Sequence, residues 1–175
     1  GSSSKDEPLF KDEASLKQFE KDAKERIPEL KLFRETFGGR IYVGKDYADF
    51  TAVDPKNPKN VDKYNWKRGS GFGEPKPVKV RISGEKSVDT FTEYQDSMAQ
   101  VNFAAIPKFV EAAEKAAKDQ GVEGAQPVGS VSVEFDNIRQ GTDVIFSLTI
   151  KGTRTDIRVK GNSQTGEIIS AKKSN

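Results

Sequence analysis

The sequence predicts an α+β protein made of two tandem helix-helix-four-strand units, each carrying an antiparallel sheet. Three observations predict it. An isoleucine-proline pair interrupts a helical run twice, at Ile27-Pro28 and at Ile106-Pro107. Short strand-like runs follow each interruption. Tight-turn residues separate those runs, and strands joined by tight turns are antiparallel, because a parallel return needs a crossover of roughly a dozen residues or more.

From Asp12 to Phe37 the apolar residues Leu16, Phe19, Ala23, Ile27, Leu30, Phe33 and Phe37 recur at steps of three and four, one face of an amphipathic helix. Pro28 has no amide to give the preceding turn and disfavours the α conformation at Ile27. The run therefore breaks there, a second helix starts at Pro28, and Gly38-Gly39 stops it. Strand-like runs follow at 40–43 (RIYV), 47–53 (YADFTAV), 61–66 (VDKYNW) and 77–82 (PVKVRI). Turn-rich segments at 54–60 (DPKNPKN) and 69–77 (GSGFGEPKP) separate them.

The second half repeats the order. Phe91, Tyr94, Met98, Val101 and Ala105 form a helical stripe, Pro107 breaks it, and Phe109, Ala112, Ala113 and Ala116 continue a second helix to Gly121. Strand-like runs lie at 130–135, 143–150, 155–159 and 167–171. Val144, Phe146, Leu148 and Ile150 alternate with more polar neighbours, so their shared face is expected to be core. NSQTGE forms the last hairpin turn, with Gly166 at positive φ. The expected organisation is a flexible N-terminal tether at 1–9, a first unit at 10–83 and a second at 87–172, joined by the polar SGEKS at 83–87.

Composition narrows the function. The 175 residues are 34% hydrophobic and 32% charged, yet 29 basic and 27 acidic side chains nearly cancel to +2. Disorder combines low hydrophobicity with large net charge, so this balance reads as a folded, very soluble surface. A net charge this small gives no global field toward nucleic acid, and no nucleic-acid partner is expected. The chain has no Cys and no His. That excludes Cys nucleophiles, Ser-His pairs, His bases and Cys/His zinc sites. Carboxylates such as Asp49 and Asp54 remain, but nothing in their spacing sets a catalytic pair apart. The expectation is a protein that is not an enzyme and needs no cofactor. No stretch approaches the ~18 consecutive apolar residues that span a bilayer.

Two resemblances add to this reading. GSSSKDEP resembles the short Gly/Ser tether after the lipidated cysteine of mature bacterial lipoproteins, with a vector-derived remnant as the alternative. The resemblance implies an extracytoplasmic lipoprotein, periplasmic or at the cell surface, held to the membrane by a lipid anchor before Gly1. The tail TRTDIRVKGNSQTGEIIS resembles the end of a PepSY-type repeat, in which a charged strand runs into a TGE turn and a final apolar strand. Asn162 stands where that pattern has Asp or Ala. Tandem helix-helix-sheet units are also similar to the architecture of β-lactamase inhibitor protein. These likenesses imply a binding or inhibitory protein of the cell envelope, with a protein partner there.

Candidate partner-binding residues follow. Tyr64, Trp66 and Arg68 share one face of the 61–68 run, and a Tyr/Trp/Arg group is what protein hot spots use. The opposite face, Lys63, Asn65 and Lys67, is polar, which argues that Tyr64 and Trp66 are core. Phe72, between Gly71 and Gly73, is the preferred exposed anchor. Arg154, Arg158 and Lys160 line one face of a strand, with Lys151 nearby, and suit an anionic polymer or an acidic partner; a small molecule or anionic cell-wall polymer is the alternative ligand. Asp54, Asn57, Asn60 and Asp62 offer oxygens, but their spacing does not fit a calcium loop.

Overall fold

The structure, a computed structural model, describes residues 7–28, 30, 32, 39–79, 98–135 and 144–174. Helix α1 (Glu13–Arg26) starts where Asp12 accepts hydrogen bonds from the Ser15 amide at 3.2 Å and the Ser15 hydroxyl at 2.7 Å. Those bonds satisfy the open first turn. It buries Leu16, Phe19 and Ala23 and ends at Ile27, as Pro28 dictates. The helix expected from Pro28 is absent at the next described residues. Leu30 and Leu32 are both buried, an alternation of period two, and Leu32 makes an isolated antiparallel bridge with Ala52. Phe33, Phe37 and Gly38 lie outside the described residues.

Helix α2 (Ile106–Asp119) places Pro107 in its first turn, buries Ile106, Phe109, Val110, Ala113 and Ala117, and stops before Gly121 at φ 67°. The stripe expected to be helical before it instead forms two 3₁₀ turns, Met98–Gln100 and Phe103–Ala105. The reason is competition for backbone groups. The Asn102 amide donates to the Ser163 carbonyl at 2.8 Å, and the Ser163 hydroxyl donates to the Gln100 carbonyl at 2.9 Å. Phe91 and Tyr94 lie outside the described residues. The two isoleucine-proline pairs are thus not equivalent corners among the described residues: one ends α1 and the other begins α2.

The strands are β1 (Arg40–Val43), β2 (Tyr47–Asp54), β3 (Asn57–Lys67), β4 (Gly71–Phe72), β5 (Lys76–Val78), β6 (Val131–Phe135), β7 (Val144–Ile150), β8 (Ile157–Asn162) and β9 (Ile168–Lys173). They form one nine-stranded antiparallel sheet in the order β4-β3-β2-β1-β6-β7-β8-β9, with β5 also pairing β3. Each half is a meander, and the halves meet edge to edge: β1 pairs β6, with Ile41 opposite Val133. The first half carries β4 as a strand that the glycine-rich segment does not announce. Of the run expected at 77–82, Lys76–Val78 is strand and 80–82 lie outside the described residues.

Both helices pack on the same sheet face. Phe19 meets Trp66 at 5.5 Å, Phe103 at 5.3 Å and Phe72 at 6.2 Å between ring centroids, and Phe109 stacks on Phe146 at 5.7 Å. Phe146, Leu148 and Ile150 are buried there, as alternation predicts. Two glycines let α2 sit close. Gly161 on β8 lies against the Phe109 ring, where any Cβ would collide. Gly166 takes φ 77° in the β8–β9 turn and lies against the Ala105 carbonyl.

Residues 7–9, assigned by sequence to the tether, are docked. Leu9 is fully buried, its amide donates to the Lys45 carbonyl, and the Glu7 carbonyl accepts from Arg68.

Candidate functional site

The structure removes four of the sequence-derived candidates from the surface. Tyr64 is 4% exposed and Trp66 is 2% exposed, both on the helix-facing side of β3, and the Trp66 indole donates to Asp22 at 2.8 Å. Phe72 is half-buried rather than an exposed anchor. Its pairing opposite Trp66 in β4 turns the ring inward against Phe19, Phe50 and Tyr64. Arg68 is a structural clamp: its guanidinium meets the Glu7 carbonyl at 2.6 Å, Asp12 at 3.3 Å and Asp46 at 2.6 Å.

That clamp has a measurable consequence. Burial pushes the Asp12 carboxyl up, but the Ser15 hydroxyl and amide and the Arg68 guanidinium outweigh it and hold it below its ordinary value of 3.8. A carboxyl lowered in the folded state stabilises above its unfolded value, and that contribution is lost as pH falls through the folded value. Asp12→Ala is therefore expected to lose about 1–2 kcal/mol at neutral pH. The deficit shrinks below about pH 4. Urea unfolding of both proteins at neutral and acid pH measures it.

The basic candidates remain accessible but separate. Arg158 and Lys160 share the sheet's outer face on β8, exposed and half-buried respectively, while Arg154 is exposed in the loop before β8 rather than on a strand. Asp54 accepts from the Lys56 amide at 2.9 Å and Asn57 from the Lys59 amide at 3.2 Å, so these oxygens stiffen a hairpin. Among the described residues no cluster of three or more acidic side chains is placed to hold a metal ion.

The face of the sheet opposite the helices is the remaining candidate. Register carries one row of side chains straight across it: Asn65, Asp49, Tyr42, Ser132, Ser147, Lys160 and Ser170. Tyr42 is 40% exposed and Tyr47, whose ring lies close over Gly44, is 47% exposed. Burial raises the Asp49 carboxyl beside them, with Lys63 opposing that rise. Val53 and Val61 pair on this face and are buried apart from the helix-side core.

On the second half the outer face is concave. A pocket of about 400 Å³ lies between strands β1, β6, β7 and β8 and the loop at 126–130. Arg40 and Glu134, opposite each other on β1 and β6, form an ion pair of 3.1 Å in it, with the Glu134 side chain only 3% exposed. Ser132, Ser147, Thr149, Lys151 and Arg158 also line it. Neither this pair nor the exposed tyrosines stand out in the sequence. Their signal is the strand alternation itself: inward Ile41, Val43, Val131 and Val133 turn Tyr42 and Glu134 outward.

No protein-family model matches this chain, and no curated protein matches it. Among solved structures it is similar to a candidate lipoprotein from Clostridium difficile 630, with a TM-score of 0.61 and 14% identity over 97% of this chain and 100% of that one. A likeness at that identity is one of fold. The chain thus shares an α+β fold with that protein over nearly its whole length.

Proposed function

We propose that this chain is the soluble part of an extracytoplasmic lipoprotein that binds a protein partner through the outer face of its sheet and catalyses no reaction. The observation that carries the docking face is the pair of exposed tyrosines, Tyr42 and Tyr47, on rigid adjoining strands of a face that no described helix covers. Aromatic side chains with a polar tip are the residues that protein interfaces enrich. The fold shared with a candidate lipoprotein, together with the Gly/Ser-rich start, supports the tethered location. The two meanders are read as copies of one unit, 10–83 and 87–172, joined through their first strands, in the manner of PepSY-type and β-lactamase inhibitor protein repeats. A chain without His or Cys supports a role in binding.

A photo-cross-linking residue placed at Tyr42 in the full-length gene product, expressed in its own cells, tests the docking face. One dominant adduct is expected at Tyr42 and none at Glu111, which is exposed on α2. With that partner purified, Tyr42→Ala combined with Tyr47→Ala weakens binding by about 30-fold or more, the effect of losing one hot spot. Absence of any Tyr42-specific adduct refutes the docking face. Lack of acyl-chain incorporation in the full-length product refutes the lipid anchor.

A further inference from the structure

The pocket on the second half is chemically polarised. At one end Lys151 and Arg158 project from the end of β7 and the start of β8, beside Thr149, which faces Arg158 across the ladder. Neither cation makes an ion pair or side-chain hydrogen bond among the described residues. At the other end stands the Arg40–Glu134 pair. Between the ends lie the hydroxyls of Ser132 and Ser147, opposite each other on β6 and β7. Ser147 is 5% exposed, and its hydroxyl has no partner among the described residues. Among the described residues that hydroxyl is not a sealed-off polar atom, so it opens on the pocket and can exchange water for a ligand oxygen there.

We propose that this pocket binds the phosphate ester of a small polyol. The phosphate sits at the Lys151/Arg158 end, where a guanidinium fork matches two of its oxygens. The hydroxylated body runs toward Ser132 and Ser147. The Thr149–Arg158 and Ser132–Ser147 rows are two residues apart along β7, roughly 7 Å, a distance that a phosphorylated three-carbon polyol spans. At the other end Arg40 and Glu134 compensate each other's charge, so the pocket's excess positive charge lies with Lys151 and Arg158 and sets the polarity of binding. All these side chains except Lys151 stand on paired strands, so little ordering cost accompanies binding. The site does not depend on the protein-docking reading, which concerns Tyr42 and Tyr47.

The test titrates glycerol 3-phosphate, inorganic phosphate and glycerol separately into the isotope-labelled full chain and follows amide shifts. Saturable shifts are expected at Ser132, Ser147, Thr149 and Arg158, with glycerol 3-phosphate binding about tenfold tighter than inorganic phosphate. Lys151→Ala combined with Arg158→Ala weakens it by about tenfold or more, as does raising the salt. Ser147→Val weakens glycerol 3-phosphate and leaves inorganic phosphate unchanged. A poly(glycerol phosphate) chain distinguishes the sources: tighter binding per unit than the monomer indicates a polymer ligand, and equal binding a free metabolite. The proposal is overturned if glycerol 3-phosphate gives no saturable shift at millimolar concentration, if inorganic phosphate binds as tightly, or if the double variant, with an unchanged melting temperature, binds as before.

Discussion

Trp66→Ala is expected to lower the unfolding free energy by about 3–5 kcal/mol, the usual cost of emptying an aromatic site in a core. Trp66 is 2% exposed, packs edge-on against Phe19 and donates its indole hydrogen to Asp22. Globular domains hold only about 5–15 kcal/mol in total, so the loss is a large share and lowers the melting temperature by on the order of 10 °C. Trp66→Phe keeps most of the packing and gives up the hydrogen bond to the half-exposed Asp22, so it costs about 1 kcal/mol. Thermal and urea unfolding of the two variants separate a core tryptophan from a surface hot spot, whose removal would leave stability unchanged.

The second large effect is expected at Gly161. Valine there places its branch in the Phe109 ring, which already occupies the space a Cβ would take. Valine suits a strand better than glycine by up to about 1 kcal/mol, and that gain opposes the clash. The collision wins, because a close-packed core yields little, and a net loss of about 3 kcal/mol is expected. Phe109→Ala alone costs about 3–5 kcal/mol through the cavity it leaves. The valine partly fills that cavity in the double variant, whose loss falls short of the summed singles by about 1–3 kcal/mol. Additive losses in urea unfolding would show that β8 shifts away from α2 instead.

Alternation made much of this fold legible. RIYV and YADFTAV have inward residues at every second place, and β1 and β2 form over those runs. The same rule turned Tyr64 and Trp66 inward. Local period failed where distant backbone groups competed. The stripe through Met98, Val101 and Ala105 has helical spacing, yet its carbonyls and amides bond to the β8–β9 hairpin. Leu30 fits the helical run on paper, but it is buried outside any helix, two residues before Leu32, which bridges to Ala52. Phe72 looked like a loop residue because glycines flank it, whereas pairing with β3 is a tertiary fact. The pocket was illegible for a related reason: Arg40 and Glu134 are far apart in the chain and become neighbours only because β1 pairs β6.

That central ladder also sets the order of assembly. Each meander joins strands close in sequence and can form early, but β1 and β6 must find each other across the whole intervening chain, and such remote closures are slow. Until they meet, a growing polypeptide displays two bare strand edges in what will become the middle of the sheet, available to any other extended segment. The most hazardous moment in the life of this protein is therefore the interval between completing β1 and delivering β6 to its side.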